Sequence, residues 1–366
     1  MKLSNRWNQA IFTACILGLI SIAGCNKAAE TQQETTSPKD PLIEKALGQF
    51  QPLPDQAPAL AGNPMSEARL DLGKKLFLDP RISSSQLISC NTCHNLGTGG
   101  VDLQKTSTGH AWQQGPRNAP TVLNSGLFSH QFWDGRAADL EAQAKGPVQA
   151  GVEMSNTPAV VEATLKSMPA YVEAFKAAFP GEEQPVSFDN FAKAVALFES
   201  TLLTPSAFDR FLKGDAQALD AEAKEGLNLF MDKGCSSCHG GVALGGQGFQ
   251  KFGLINAPEA KHRPAGDKGR MKVTGDAADE YAFRVPTLRN IADTRPYFHT
   301  GSAQTLAEAI RVMGKSQLGV DLTDEEVSKI QAFLNSLSGQ VEVTYPNLPS
   351  SSDQTPQPNL SVAKGH

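Results

Sequence analysis

The chain has 366 residues, of which 40% are hydrophobic, and its 33 Lys and Arg against 38 Asp and Glu give a formal net charge of −5. Because no run of basic residues is present, nucleic-acid binding is not expected. The length is sufficient for two domains of ordinary size.

Residues 1–24 are typical of an export signal. Lys2 and Arg6 precede an apolar segment, residues 10–24, that is too short to span a bilayer as a helix. The segment ends in Ile22-Ala23-Gly24-Cys25, which resembles a bacterial lipobox and predicts lipidation of Cys25. An ordinary cleaved signal is the alternative. We therefore expect a periplasmic protein anchored by lipid alone, and Asn26 in place of Asp favours the outer membrane over the inner.

The two ends of the mature chain differ from its middle in composition. Residues 26–40 are polar and lack apolar periodicity, which predicts a flexible tether over residues 25–52. Residues 344–366 are rich in Pro, Ser and Gln and are expected either to dock as an extended strap or to remain loose.

Helical periodicity dominates the rest of the chain. Apolar residues at i, i+3, i+4 spacing predict helices over residues 66–77, 136–149, 158–179, 187–203, 216–233, 305–313 and 323–337. Thr323 and Glu326 form a capping box at the start of the last one. The Gly-rich stretches 97–120 and 240–280 predict loops, so the fold class is all-α.

Two Cys-x-x-Cys-His motifs carry the chemistry of the chain. They are Cys90-Asn91-Thr92-Cys93-His94 and Cys235-Ser236-Ser237-Cys238-His239. This spacing is typical of c-type haem attachment, in which two thioethers form and the adjacent histidine binds the iron. A zinc site is the alternative, but neither motif has the second Cys or His pair nearby that zinc usually requires. With Cys15 in the signal and Cys25 lipidated, no cysteine pair remains for a disulfide.

The two halves repeat each other faintly. Each haem motif follows a similar helix, and residues 117–124 match residues 284–290 in order and type. Residues 132–137 likewise match residues 298–303. This pattern predicts two related haem domains, over residues 53–205 and 206–343.

The sixth iron ligands must be sought among the remaining His and Met residues. His110 lies 16 residues beyond His94 in a Gly-rich loop that could reach the iron or leave it. A surface or core histidine is the alternative. The second haem has more candidates: Met231, Met271, Met313, His262 and His299. Met313 ends a predicted helix where the chain could fold back over the haem, although a core Met is the alternative.

From about residue 53 to residue 343 the chain resembles the bacterial diheme cytochrome c peroxidases. The matching motifs occur in the family's order: Leu78-Asp79-Pro80-Arg81, both haem motifs, Arg117-Asn118-Ala119-Pro120-Thr121, Phe132-Trp133-Asp134-Gly135-Arg136, Gly151-Val152-Glu153-Met154, residues 285–290, Tyr297-Phe298-His299-Thr300-Gly301, and Met313 followed by Gln317-Leu318-Gly319. The resemblance implies a peroxidase that reduces hydrogen peroxide to water.

The resemblance also implies a role for each matched residue. His94 would bind a low-potential haem with His110 as its displaceable ligand, while His239 and Met313 would bind a high-potential haem. Trp133 would lie between the haems. Gln143 and Glu153 would form the peroxide pocket, where a carboxylate moves a proton and a neutral amide holds the substrate.

Further partners follow from the same resemblance. It implies a calcium ion between the domains at Asn118, Thr294 and Pro296, ligands of the hard-oxygen type. It also implies a homodimer, and an electron donor that is a small cytochrome c or a cupredoxin. The mildly acidic surface suits a basic donor held by a weak, salt-sensitive encounter. We assign no role to His130, His262 or His299.

Two other functions compete with peroxide reduction. A diheme enzyme that matures a protein-derived quinone cofactor would place a tyrosine where Met313 stands, so Met313 argues against it. A non-catalytic diheme electron carrier would make Gln143 and Glu153 incidental.

Overall fold

The structure is a computed structural model that describes residues 40–362. The predicted signal, Cys15 and the predicted lipidation site Cys25 lie outside the described residues. Within them, helices and long connections predominate, and the all-α prediction is confirmed. The α-helices are α1 (Pro41–Leu47), α2 (Glu67–Leu78), α3 (Cys90–Cys93), α4 (Leu140–Gln149), α5 (Pro158–Lys166), α6 (Pro169–Ala178), α7 (Phe188–Ser200), α8 (Ala207–Leu212), α9 (Ala221–Asp232), α10 (Met271–Thr274), α11 (Leu306–Met313) and α12 (Asp324–Asn335).

One small sheet accompanies these helices in the described residues. Strand β1 (Phe249–Lys251) pairs antiparallel with β2 (Ala282–Arg284). Strand β1 and helix α10 lie within the predicted loop of residues 240–280, and β2 directly follows it, so the prediction of a loop is only partly right there. No helix within residues 40–362 is long and apolar enough to cross a membrane.

Side-chain caps fix where most helices begin. Ser66, Asp139 and Asp220 each accept a hydrogen bond from a backbone N–H in the first turn of α2, α4 and α9. The predicted starts at residues 136 and 216 are therefore too early by a few residues. Thr323 caps α12 through the predicted capping box with Glu326.

The predicted helix over residues 158–179 is wrong in one respect, because two helices occupy it. Ser167 ends α5, Met168 is extended with φ −110° and ψ 103°, and Pro169 is the first residue of α6. Proline lacks the N–H that would continue the α5 ladder and disfavours a helical residue before it. The apolar periodicity continues across this break, so periodicity alone did not reveal it.

Two hydrophobic cores form, one in each half. In the first core α2 crosses α7, and a Cβ on Gly73 would lie 1.9 Å from the carbonyl oxygen of Ala194. In the second core α9 crosses α12, and a Cβ on Gly226 would lie 1.8 Å from the carbonyl oxygen of Lys329. Both glycines belong to the repeated segment that precedes a haem motif, so the repeat preserves a close helix crossing.

The backbone confirms that the two halves are related. Asn124 and Asn290 are both left-handed, with φ of 61° and 59°. Phe132 and Phe298 are left-handed as well, with φ of 66° and 69°. The two asparagines meet at Thr204, whose Oγ1 accepts a hydrogen bond from Asn124 Nδ2 (2.8 Å) and donates one to Asn290 Oδ1 (2.6 Å).

The predicted tether over residues 25–52 is wrong in its C-terminal part, which is folded. Pro41–Leu47 form α1, and Ile43, Ala46 and Phe50 are buried in the second core. Phe50 packs edge-on against Phe208 with ring centroids 5.4 Å apart. Only residues 25–39, outside the described part of the chain, can still be a tether.

The tail docks as a strap, the first of its two predicted alternatives. Residues 344–362 run along the first half of the chain without regular secondary structure. Their side chains and backbone hydrogen bond to residues around position 84 and to Ser167.

Candidate functional site

A cavity of about 510 Å³ opens beside the first haem motif. Helix α3 is a single turn that places Cys90 and Cys93 three residues apart, and Cys93 and His94 line the cavity. Burial lowers the pKa of His94, so the imidazole is neutral at pH 7 and can bind a metal. Its buried Nδ1 has no hydrogen-bond partner among the described residues.

Two polar side chains from outside the motif line the same cavity. Gln143 projects from α4, and Glu153 lies in the turn that follows this helix. Burial raises the pKa of Glu153, and nearby Arg136 only partly opposes this effect. Neither side chain hydrogen bonds to another residue in the described part of the chain. Both are therefore free to contact a ligand in the cavity.

His110 does not line this cavity. It is fully buried, and its Nε2 lies 3.0 Å from the carbonyl oxygen of Ser361 in the tail. The backbone N–H of His110 donates to the carbonyl oxygen of Glu153 at 2.7 Å. The structure thus places the loop of His110 against the turn of Glu153 but directs the imidazole towards the tail.

A second cavity, of about 260 Å³, surrounds the second haem motif. Cys235, Cys238, His239 and Met313 all line it. The Nδ1 of His239 lies 3.3 Å from the carbonyl oxygen of Leu244, and burial lowers the pKa of His239 to about 4. Met313 is the last residue of α11, and a π-helical turn (Gly314–Leu318) follows it. The structure therefore brings Met313 and His239 to one cavity.

Trp133 and the segment 118–121 line both cavities. The indole Nε1 of Trp133 donates to the carbonyl oxygen of Asn118 at 2.9 Å, and its ring centroid lies 6.1 Å from that of His299. The hydrogen bond to Asn118 thus fixes the Trp133 ring between the two cavities. His299 sits on the second-cavity side and stacks on Phe283 at 4.1 Å.

The predicted calcium residues also lie together. Asn118, Thr294 and Pro296 all line the second cavity. The Nδ2 of Asn118 donates to the carbonyl oxygen of Gln104 at 2.9 Å. This bond orients the amide and leaves its Oδ1 as an acceptor. Among the described residues no group of three or more His, Cys, Asp or Glu side chains is placed to hold a metal ion.

Sequence reasoning missed an ionic cluster beside the first cavity. Arg117 contacts both carboxylate oxygens of Asp267 at 2.7 Å and Asp134 at 2.7 Å. Asp267 comes from the other half of the chain and lines the first cavity. Arg117 and Asp134 each lie in one of the repeated segments of the sequence, but no pattern linked them to each other or to Asp267, which was an ordinary loop residue.

Sequence reasoning also missed Glu199. This carboxyl lines the first cavity, is 4% exposed and has no hydrogen-bond partner among the described residues. Burial raises its pKa to about 8. Its only signal in the sequence was an acid within the apolar run of α7, at a position where helical periodicity requires a buried residue.

The residues present fit two c-type haems. Each cavity has largely apolar walls and contains a neutral imidazole. Cys235 and Cys238 line the second cavity, while Cys93 lines the first and Cys90 lies in the same helical turn, so each motif supplies the donors that c-type haem attachment needs. All four of these cysteines are free thiols. Burial raises the pKa of Cys93 and Cys235 to about 11, so both are protonated thiols at neutral pH.

Comparison with known proteins gives the same result. The family described as di-haem cytochrome c peroxidase matches residues 67–217, and cytochrome c matches residues 223–338. The chain is 55% identical to cytochrome c551 peroxidase of Pseudomonas aeruginosa, over 87% of this chain and 93% of that protein. It is 50% identical to cytochrome c551 peroxidase of Nitrosomonas europaea, over 82% of this chain and 89% of that protein.

A solved structure has the same fold. A MauG-like protein associated with microbial copper homeostasis superposes with a TM-score of 0.71 at 31% identity, over 78% of this chain and 95% of its own. Two cytochrome-type domains imply two c-type haems. The chain belongs to the di-haem cytochrome c peroxidase family.

Proposed function

We propose that this protein reduces hydrogen peroxide to water at the first cavity, with electrons supplied by a small cytochrome c or a cupredoxin. One observation carries the proposal. Gln143 and Glu153 line the cavity of His94, and neither has a partner among the described residues. Both side chains are partly buried and face the cavity, so they are available to contact a ligand bound there.

The haem-binding residues are proposed from their motifs and cavities. Cys90 and Cys93 bind the first haem, with His94 as iron ligand and His110 as a second ligand that can be displaced. Cys235 and Cys238 would bind the second haem, and His239 and Met313 would be the two ligands of its iron. A His/Met pair raises the reduction potential, which suits a haem that stores an electron.

The chemistry divides between the haems and the chain. When bound, the two haems supply the two electrons and the iron at which peroxide reacts. Glu153 takes a proton from one peroxide oxygen and returns it to the other, which leaves as water. Gln143 holds the substrate with a neutral amide that cannot compete for this proton. One peroxide, two electrons and two protons give two water molecules.

Trp133 is proposed as the route between the haems. Its indole lines both cavities, and its bond to Asn118 fixes the ring. A rigid, packed π-system in this position shortens the gap that an electron must cross. Calcium at Asn118, Thr294 and Pro296 would hold the same wall, using an amide oxygen and backbone carbonyls as ligands.

Displacement of His110 is proposed as a redox-controlled gate. Reduction of the second haem would loosen the loop that carries His110 and open the first haem to peroxide, an order-disorder switch. The loop has the composition for such movement, with glycines at positions 97, 99, 100, 109 and 115.

The location and assembly of the protein are further proposals. The sequence supports export to the periplasm and a lipid anchor at Cys25, with the outer membrane favoured by Asn26. The family resemblance supports a homodimer.

An assay of peroxide turnover with a reduced cytochrome c donor tests the proposal. Glu153→Gln keeps the size of the side chain but removes the base, so we expect turnover to fall by about 10²- to 10⁴-fold with both haem spectra intact. Glu183→Gln, a change at an exposed glutamate, is the matched control. Full turnover by Glu153→Gln would refute the assignment, and no turnover by the unaltered protein would favour the electron-carrier alternative.

A further inference from the structure

The tail is bound to the first half of the chain by a regular series of contacts. We call residues 344–362 the C-terminal strap. Ser352 Oγ donates to the carbonyl oxygen of Ser167 at 2.7 Å, and Gln86 Nε2 donates to that of Pro356 at 2.6 Å. Thr355 is 7% exposed, with its Oγ1 2.8 Å from Ser167 Oγ. The strap therefore has a defined path that approaches the first haem motif.

The last contacts of the strap fix its end beside His110. The N–H of Asn359 donates to the carbonyl oxygen of Ser84 at 2.8 Å, and Ser84 Oγ donates to the carbonyl oxygen of Asn359 at 3.2 Å. The side chain of Asn359 accepts from the N–H of Ser361 at 2.9 Å. This turn presents the carbonyl oxygen of Ser361 to the imidazole of His110, 3.0 Å away.

A hydrogen bond to a carbonyl requires a proton on the histidine nitrogen. The Nε2 of His110 must therefore be the donor in this contact, because a carbonyl oxygen can only accept. A nitrogen that carries this proton has no free electron pair for a metal. Binding of Nε2 to Ser361 and binding of Nε2 to iron are thus mutually exclusive states of one atom.

The loop of His110 is held in a conformation that it would not adopt alone. Ala111 and Trp112 are left-handed, with φ of 50° and 64°, a region that non-glycine residues rarely occupy. The side chain of Trp112 is 83% exposed and makes no compensating burial. Such conformations persist where the surroundings determine them. The turn at Glu153 holds the backbone of this loop, and the strap contacts its imidazole through Ser361.

We infer that the C-terminal strap positions His110 away from the first haem, with the Ser361 carbonyl as the receptor for its imidazole. The inference rests on the proposed role of His110 as a displaceable iron ligand. Ser361 is a positioning residue: it contacts no substrate, and it shifts the balance between the closed and the open haem. The imidazole of His110 then has two alternative partners, the iron of the first haem and the Ser361 carbonyl of the strap.

Shortening the chain at two points tests this inference. A chain ending at Asn359 loses Ser361 and keeps the strap contacts up to Ser84, whereas a chain ending at Val362 keeps Ser361 and serves as the matched control. Leu360 and Val362 are exposed, so their loss leaves the cores unchanged. The readout is the ratio of low-spin to high-spin first haem in the half-reduced protein, measured by electron paramagnetic resonance and visible spectra.

Loss of one hydrogen bond of ordinary strength should shift this ratio towards the His110-bound, low-spin form by about three- to tenfold. Asn359→Ala, which frees the turn that presents Ser361, should shift it in the same direction. The role of the strap would be overturned if the chain ending at Asn359 had an unchanged ratio while His110→Ala still abolished the low-spin signal. The assignment of His110 as an iron ligand would then stand. A low-spin signal unaffected by His110→Ala would overturn both the ligand assignment and this inference.

Discussion

Glu153 and Gln143 are assigned the proposed chemistry because their side chains have no hydrogen-bond partners among the described residues. These two face a cavity without a partner among the described residues, and burial keeps the pKa of Glu153 above that of an exposed glutamate. A carboxyl with a raised pKa gives up a proton less readily than an ordinary glutamate and is a better proton acceptor in its ionised form.

The pH dependence of peroxide reduction should report Glu153. Its base form accumulates only as pH rises through a pKa above the ordinary value of 4.5, so kcat/KM for peroxide should fall on the acidic side of that raised pKa. A pH profile of the unaltered protein and of Glu153→Gln measures this. The acidic limb should vanish in the variant, and its persistence there would assign it to another group.

Glu199 should make stability depend on pH. Its folded pKa of about 8 lies above the ordinary 4.5, so the unfolded chain releases this proton first. The stabilising contribution is complete below about pH 4.5 and is lost as pH rises to about 8. Glu199→Gln should therefore lose less stability between pH 5 and pH 8, by about 2–4 kcal/mol.

Denaturant unfolding of Glu199→Gln at these two pH values provides the test, with Glu183→Gln as the exposed control. Equal pH dependence in all three proteins would show that Glu199 finds a partner or water in solution.

Two glycines at helix crossings set the spacing in each core. A Cβ on Gly73 would overlap the Ala194 carbonyl, and one on Gly226 would overlap the Lys329 carbonyl. Gly73→Ala and Gly226→Ala should each destabilise the protein by about 1–3 kcal/mol, since the helices must move apart. Gly248→Ala is the control, as nothing lies within 4 Å of its added Cβ. Thermal unfolding midpoints measure this destabilisation. Unchanged midpoints would mean that the helices move apart at these crossings at little cost in free energy.

At the level of elements, the sequence predicted what local chemistry determines. Apolar periodicity and caps such as Thr323 located most helices, and the paired segments around Asn124 and Asn290 predicted two related halves. The break at Pro169 was missed because periodicity outweighed a visible proline. The burial of Phe50 was missed because its partners lie far along the chain.

The site was predictable to a similar extent. The motif spacing and the family resemblance named residues that the structure brings into two cavities, including Trp133 in the wall between them. The hydrogen bond between His110 and Ser361 could not be predicted, because it joins a loop and a tail 251 residues apart through a backbone carbonyl. No side-chain pattern marks such a contact.

The two halves of the molecule are tied together by their ends and by their shared wall. The segment before the first half packs into the second core through Phe50, and the strap after the second half docks on the first. Arg117 and Asp267 join the halves beside the first cavity. The wall at Asn118 and Trp133 is therefore held from several directions, which suits an electron route.

Removal of the proposed calcium should weaken this wall. A chelator would free the proposed ligand oxygens of Asn118, Thr294 and Pro296, and so loosen the Asn118 carbonyl that holds Trp133. We expect electron transfer between the haems to slow and to recover when calcium is added back. Stopped-flow oxidation of the reduced protein with and without chelator measures it. Equal rates would remove calcium from the account.

The most direct test of the whole account is a single turnover of the fully reduced protein. One equivalent of peroxide is mixed with it under anaerobic conditions, and the two haems are followed by their separate visible bands. We predict that each haem loses one electron per peroxide, and that Glu153→Gln slows both losses together. Haems that stay reduced after mixing would contradict peroxide reduction and leave a protein that only carries electrons.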